Sequence, residues 1–371
     1  MTMRTVRRLL WGEIARSVAF VAAAFLALFY FIDLVDELQN VGKGGWQVRH
    51  AIAASLLALP GHLYDLLPIA LLIGATYAMA RFAQSSEFTI LRTGGLGPGR
   101  ALGLLMGLGA LAGVVTFVLG DTLVPWAESR ISLVEATTRD VGARRGPGAW
   151  LRDSGAGNGA PSYVVHVGQA GGESDFAQVT RYEFDASGLL VSRVVAEQVS
   201  IDDDGRWHMR GVRRIRLTGD VADEATRVAT EQLAELRWDS RLSANVVAAA
   251  VLPLRTMSTP ALYTYMNHLA DNAQAAQLYE IQFWKRALYP LACLVMMSLA
   301  LPFAYLHARS EGISLKVFGG IMLGISFVLV NNITSHLGLL QNWSPLLAAA
   351  LPSAAYMLLA LGAFVWLVRY R

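Results

Sequence analysis

The chain has 371 residues, 54% hydrophobic and only 16% charged, where an ordinary soluble domain carries about 25% charged residues. A net charge of +3 is too small to imply nucleic-acid binding by itself, and the single cysteine, Cys293, excludes a disulfide framework or a zinc-type cysteine cluster within the chain. The charge deficit is uneven: long stretches carry almost none, while residues 128–245 read as soluble sequence, the pattern of a membrane protein with one water-exposed domain.

Lipid offers the backbone no hydrogen-bond partner, so a crossing segment has to satisfy its own amides as a helix of about 20 mostly apolar residues. Six segments qualify, at roughly Ile14–Leu38, Ile52–Met79, Ala101–Trp126, Ala287–Leu306, Val317–Leu340 and Leu346–Val368. The first runs through Ser17–Ile32 with no cleavage site followed by polar sequence, and reads as a retained helix rather than a signal peptide. Arginine and lysine in short segments set the orientation. Arg4, Arg7, Arg8 and Arg16, then Arg81, Arg92 and Arg100, then Arg309 and Lys316, then Arg369 and Arg371 all fall on one side of a six-span chain. Both termini are therefore expected in the cytoplasm. Lys43 and Arg49 lie on the other side, and Lys285 and Arg286 at the outer end of the fourth span are an exception to the rule.

The block between the third and fourth spans is then expected outside the cytoplasm. A Gly-rich stretch from Gly142 to Pro161 reads as loose. Period-2 alternation follows, in Tyr163, Val165 and Val167, in Val179, Tyr182 and Phe184, in Val191, Val194 and Val199, and in Ile215 and Leu217. Turn signals at Asp185–Gly188 and Asp202–Gly205 separate these runs. Many short strands close most naturally as an antiparallel sandwich or jelly roll. No sustained helical pattern is read before about residue 258, and one amphipathic helix from Thr259 to about Gln282, opened by Thr259-Pro260, leads back to the membrane. The expected organisation is a six-helix, three-plus-three membrane bundle with an inserted all-β, jelly-roll-like domain. Its divisions are 1–127 (with a short helix at 84–95), 128–257 and 258–371.

No Walker A sequence is present: Gly42-Lys43 is followed by Gly44, so any ATP-driven motor is a separate polypeptide. Between the second and third spans, Ser85 or Ser86 can cap a short helix, Glu87 enters its first turn and Gly94-Gly95 stops it. Such a helix suits docking into a motor protein, with Glu87 pairing with a basic partner; equally, it is a capped interfacial helix whose acid favours the helix dipole. Polar groups inside or at the edges of spans are Asp33, Asp36, Glu37, His62, Asp65, Asp121, Asn331, Asn332 and His336, either lining a cavity or lying in the interface. Gly103 with Gly107, and Gly320 with Gly324, have the spacing that permits close helix contact, including a dimer interface. Asp202, Asp203 and Asp204 suit calcium or, ending in Gly205, a hairpin tip. No catalytic set emerges.

The order of these features resembles the LptF/LptG permease family. The resemblance rests on Phe31–Leu38 followed by Gly42-Lys43-Gly44-Gly45, on Leu59-Pro60 and Leu67-Pro68, on Ser86-Glu87, and on the run Leu346–Ser353 with Leu351-Pro352-Ser353. It covers the whole chain. It implies a permease subunit without a cofactor of its own, paired with an LptF-like permease and driven by an LptB-like ATPase dimer that uses ATP and magnesium. Such a complex extracts lipopolysaccharide from the outer leaflet of the inner membrane and passes it to an LptC-like protein and an LptA-like bridge. Ser86, Glu87, Phe88 and Arg92 would form the ATPase-coupling site, and spans 1 and 5 the lateral gates. Where related proteins often place lysines, this chain has Gln39, Asn40 and Gly61, leaving Lys43, Arg49, His62, Arg130, Arg139 and His336 as candidate cavity or phosphate contacts. Val165, Phe184 and Val194 would line an open jelly roll or fill its core. Two other classes share the topology: a non-transporting anchor that displays a β domain, and an ABC permease for another lipid.

Overall fold

The computed structural model describes residues 3–42, 45–85, 87–138, 148–154, 161–170, 175–202, 205–218, 227–240, 242–251, 257–271, 276–305 and 313–370. The chain forms two compact units, one from Met1–Thr138 with Glu280–Arg371 and the other from Arg139–Tyr279.

The first unit is helical. It holds α1 (Met3–Leu38), α2 (Val48–Gln84), the short α3 (Glu87–Thr93), α4 (Pro98–Val118), a π-helical turn (Leu119–Leu123), α5 (Val124–Thr138), α8 (Gln277–Tyr305, three residues of which precede the unit), α9 (Ile313–Leu340) and α10 (Pro345–Tyr370). Among the described residues, six helices are long and apolar enough to cross a membrane, with α4, the π turn and α5 forming one of them. At 1.5 Å per residue the 36 residues of α1 extend about 54 Å, well beyond a hydrocarbon core of about 30 Å. Its first turns bury Val6, Leu10 and Ile14 and expose Arg4, Arg7 and Arg8.

Lipid is as apolar as a leucine side chain, so helices gain by close packing rather than by hydrophobic exclusion. Glycine makes the closest approaches. A Cβ on Gly74 of α2 would meet the Val18 backbone of α1 at 2.6 Å, and one on Gly113 of α4 would meet the Pro290 carbonyl of α8 at 3.0 Å. Gly320 and Gly324 face Thr76 and Ile69 of α2, so this pair serves contact within the chain rather than an outer surface. Gly107 abuts the Trp11 ring, whose Nε1 donates to the Leu104 carbonyl at 3.0 Å; Gly103 meets nothing. The buried centre contains Ile14, Leu72, Met79, Leu105, Met296 and Met297.

The second unit is a six-stranded antiparallel sheet whose neighbours follow chain order: β1 (Ala149–Ser154), β2 (Ser162–Ala170), β3 (Asp175–Phe184), β4 (Leu190–Ile201), β5 (Arg206–Thr218) and β6 (Arg227–Asp239). Two helices follow, α6 (Ala244–Val251) and α7 (Thr259–Asp271). Three sequence expectations are corrected here. The Gly-rich 142–161 stretch contains β1, because Ala149 and Leu151 are buried in alternation. Helix begins before residue 258, in the apolar Ala244–Val251 run. The expected single helix from Thr259 to Gln282 is divided between α7 and the start of α8, with 272–275 outside the described residues.

Alternation within the strands is interrupted along one line. Val167 pairs with Val179 and Gln169 with Ala177, which puts Gly168 opposite Gln178; the same reasoning puts Gln178 opposite Glu197 and Glu197 opposite Gly211. Gln178 and Gly211 have φ of 55° and 64°, the left-handed region. Buried positions change parity across this line, from Val179 and Arg181 to Phe176 in β3, and from Val194 and Ala196 to Val199 and Ile201 in β4. β5 does the same, from Trp207 and Met209 to Val212. The strands thereby keep one apolar face while the sheet turns. Asp185 and Gly205 form the hairpin tips, Asp185 Oδ1 accepting from the amides of Ser187 and Leu189 at 2.9 Å.

Because Gly74 meets backbone, Gly74→Leu should destabilise the membrane unit by about 3 kcal/mol, the upper range for overpacking. Gly103→Leu, which enters open space, should leave the thermal unfolding midpoint of the detergent-purified protein unchanged.

Candidate functional site

α3 is held by one face. Phe88 is 4% exposed and Leu91 7%, so both leave the helix surface for the core. The Phe88 ring meets Tyr305 of α8 edge-on, at 5.0 Å and 84°, and the Arg92 guanidinium lies 5.8 Å from the same ring. Gly95 ends the helix with φ of 98°, while Leu96 donates to the Leu91 carbonyl at 3.0 Å and Gly95 to that of Arg92 at 3.1 Å. That is the paired bonding of a Schellman stop, which only glycine adopts without strain. Ser85 turns its hydroxyl back to the Phe82 carbonyl and so closes α2; Ser86 lies outside the described residues. The outward face presents Glu87, Thr89, Ile90, Arg92 and Thr93, with Ile90 66% exposed. Phe88 therefore positions this surface and does not belong to it. Nearby, Glu13 of α1 pairs with Arg16 at 2.9 Å and with Arg81 of α2 at 3.5 Å, a link between helices that sequence spacing does not reveal.

The candidate cavity residues divide. His62 of α2 is committed: its Nε2 lies 2.6 Å from Asp33 Oδ2 of α1, and its ring stacks on Phe29 at 4.9 Å. Arg49, Arg130 and His336 are exposed, and Arg130 lies 5.9 Å from the centre of the Trp126 ring. Among the described residues, no hydrogen bond or ion pair joins these three to His62. Lys43 and Arg139 lie outside the described residues.

A second polar group was not assembled by sequence reasoning. Tyr64 and Asp65 of α2, Asp121 of the π turn, and Lys285, Arg286 and Tyr289 of α8 come together. Arg286 is 8% exposed and feels the charges of Asp65 and Asp121; Lys285 feels Asp65. These two cations broke the charge rule for loops because they are not loop charges: they are partly or wholly buried, with carboxylates to offset them. The only available signal was that break itself.

In the β unit, Val165 and Val194 are fully buried with Leu151, Trp207 and Met209, whereas Phe184 is half-buried at the end of β3. The interior also holds a cation. Arg181, 5% exposed, lies against the rings of Tyr163 and Trp238, at 5.4 and 4.8 Å from their centres, with Glu183 3.8 Å away. Burial pulls its pKa down and the Glu183 charge opposes that. Ser240 donates to Asp153 at 2.6 Å, tying the end of β6 to β1, and Trp207 Nε1 donates to the Leu242 carbonyl at 3.0 Å. At the Asp202–Gly205 tip, His208 Nε2 lies 2.8 Å from Asp202 Oδ2; Asp203 and Asp204 lie outside the described residues. No group of three or more metal-ligating side chains occurs among the described residues.

Over residues 8–369 the chain matches the family described as lipopolysaccharide export system permease LptF/LptG. The chain belongs to the LptF/LptG family. It is 25% identical over 361 residues to the lipopolysaccharide export system permease protein LptG of Haemophilus influenzae, covering 96% of this chain and 97% of that one. With the protein of the same name from Escherichia coli K12 it shares 24% identity over 339 residues, 91% of each chain. Membership in the LptF/LptG family makes the chain a multi-pass inner-membrane transport subunit of the lipopolysaccharide export system, not a catalytic enzyme.

Removing the anchor should be costlier than trimming the outward face. Phe88→Ala should lower stability by about 3 kcal/mol, as loss of a buried aromatic ring does, while Ile90→Ala should change it by less than about 0.5 kcal/mol. Thermal unfolding of the two purified variants measures the difference.

Proposed function

We propose that the chain is one permease half of an ABC transporter that extracts lipopolysaccharide from the outer leaflet of the inner membrane. An LptB-like ATPase dimer, using ATP and magnesium, drives it; an LptF-like permease is the other half; an LptC-like protein and an LptA-like bridge receive the lipid. Each CH₂ moved from lipid to water costs about 0.8 kcal/mol, so a many-chained lipid does not leave without an external energy source. The observation that carries the reading is α3: a rigidly seated helix with Glu87, Ile90 and Arg92 turned outward. Through that face a motor's movement would reach α8 by way of Phe88 and Tyr305.

The arginine distribution supports cytoplasmic termini and a periplasmic sheet. Arg49 and Arg130, exposed, are taken as the contacts for lipid phosphates, and His336 as a cavity residue. His62 is already engaged by Asp33. A second reading, a membrane anchor that displays its β unit to a protein partner, draws on the filled interior around Val165 and Val194.

The test is reconstitution with the ATPase and the sister permease in vesicles containing lipopolysaccharide, with ATP-dependent release scored. Glu87→Ala should cut release about tenfold, the loss of one charge-assisted contact of about 1.5 kcal/mol, without unfolding the protein. Undiminished assembly and release in that variant would remove Glu87 from the coupling, and absence of ATP-dependent release by the wild type would favour the anchor reading.

A further inference from the structure

Pro68 lies inside α2 and has no amide hydrogen to give the helix. The carbonyl it deprives is that of Tyr64, four residues earlier. In hydrocarbon no water replaces a missing donor, so that carbonyl would be costly if left alone. The donor comes from another helix. The Tyr289 hydroxyl of α8 lies 2.9 Å from the Tyr64 carbonyl oxygen and 3.0 Å from that of Asp65. The two tyrosine rings stack at 4.4 Å and 21°.

Two more departures from a regular helix meet at this point. Pro290, next to Tyr289, removes the amide that would serve the Arg286 carbonyl. The π turn Leu119–Leu123 brings Gly120 flat against the Tyr64 ring, where a Cβ would collide with Cε2 and Cδ2. Three helices thus interrupt their own bonding where Tyr64 and Tyr289 meet, and the charges of Asp65, Asp121, Lys285 and Arg286 gather around the same spot. Bonds within one helix hold whatever its neighbours do. A bond across helices fixes the bend of α2 only while α8 stays in place.

We propose that Tyr289 is a positioning residue of the transport cycle: its hydroxyl staples α2 at Pro68, and breaking that bond when α8 moves changes the angle between the Val48–Tyr64 and Pro68–Gln84 halves of α2. The role in transport rests on the permease reading above; the staple itself does not.

The experiment uses Cys293→Ala protein with spin labels at positions 56 and 77, both exposed and on either side of Pro68, in lipid nanodiscs. Tyr289→Phe keeps the ring stack and removes only the hydroxyl. It should broaden the 56–77 distance distribution and, in the assembled transporter, lower lipid released per ATP roughly fivefold, the factor for one lost hydrogen bond. Adding Pro68→Ala restores an amide at position 68, so the double variant should return to a narrow distribution while its release per ATP stays low, since the bend has become permanent helix. An unchanged distribution in Tyr289→Phe, or a broadened one that Pro68→Ala does not narrow, overturns the staple. A broadened distribution with normal release per ATP overturns the positioning role. A staple that behaves as expected in a wild-type assembly that releases no lipid leaves the staple standing and defeats the permease reading instead.

Discussion

A backbone inside lipid has to find every hydrogen-bond partner within the protein, and the helical unit is arranged around that requirement. It explains why the apolar segments are helices, and why the one proline carbonyl in α2 that can be followed, that of Tyr64, is met by a hydroxyl from α8. Packing comes second and follows from the same solvent. With no hydrophobic gain between helices, contact has to be close, and Gly74, Gly113 and Gly324 let backbone and side chain meet where a Cβ would not fit.

The second consequence is mechanical. Tyr305 near one end of α8 holds α3 through Phe88, and Tyr289 in the same helix holds α2 through the Tyr64 carbonyl. Sixteen residues separate the two tyrosines, about 24 Å along the helix axis. A push on the outward face of α3 would therefore travel along α8, past Pro302 and Pro290, to the polar group around Arg286.

Composition made the six spans legible, since a run of 20 apolar residues leaves few alternatives. The start and stop of α3 were also legible, through Glu87 and Gly94-Gly95. Other features depended on contacts distant in sequence. The sheet's change of parity rests on Gln178 and Gly211 at positive φ, which flank Glu197 of the intervening strand only after pairing, so nothing local in the sequence shows how Val194 and Val199, five residues apart, both come to be buried. β1 hid in a Gly-rich stretch because six residues carry little pattern. Phe88 read as part of a docking surface because a seven-residue helix has too few positions to show which side is buried. Lys285 and Arg286 looked anomalous as loop charges because their place within α8, where Arg286 is buried and the charges of Asp65 and Asp121 act on it, is set by packing between helices.

The proposed function needs the outward face of α3 and the six-stranded sheet to lie on opposite sides of one bilayer. Single cysteines at Ile90 and at Ala186, both exposed, placed in Cys293→Ala protein and probed in intact cells with a membrane-impermeant maleimide, address it directly. The account predicts labelling at position 186 once the outer membrane is permeabilised, and at position 90 only after the inner membrane is opened. Labelling of both positions under the same condition would contradict it.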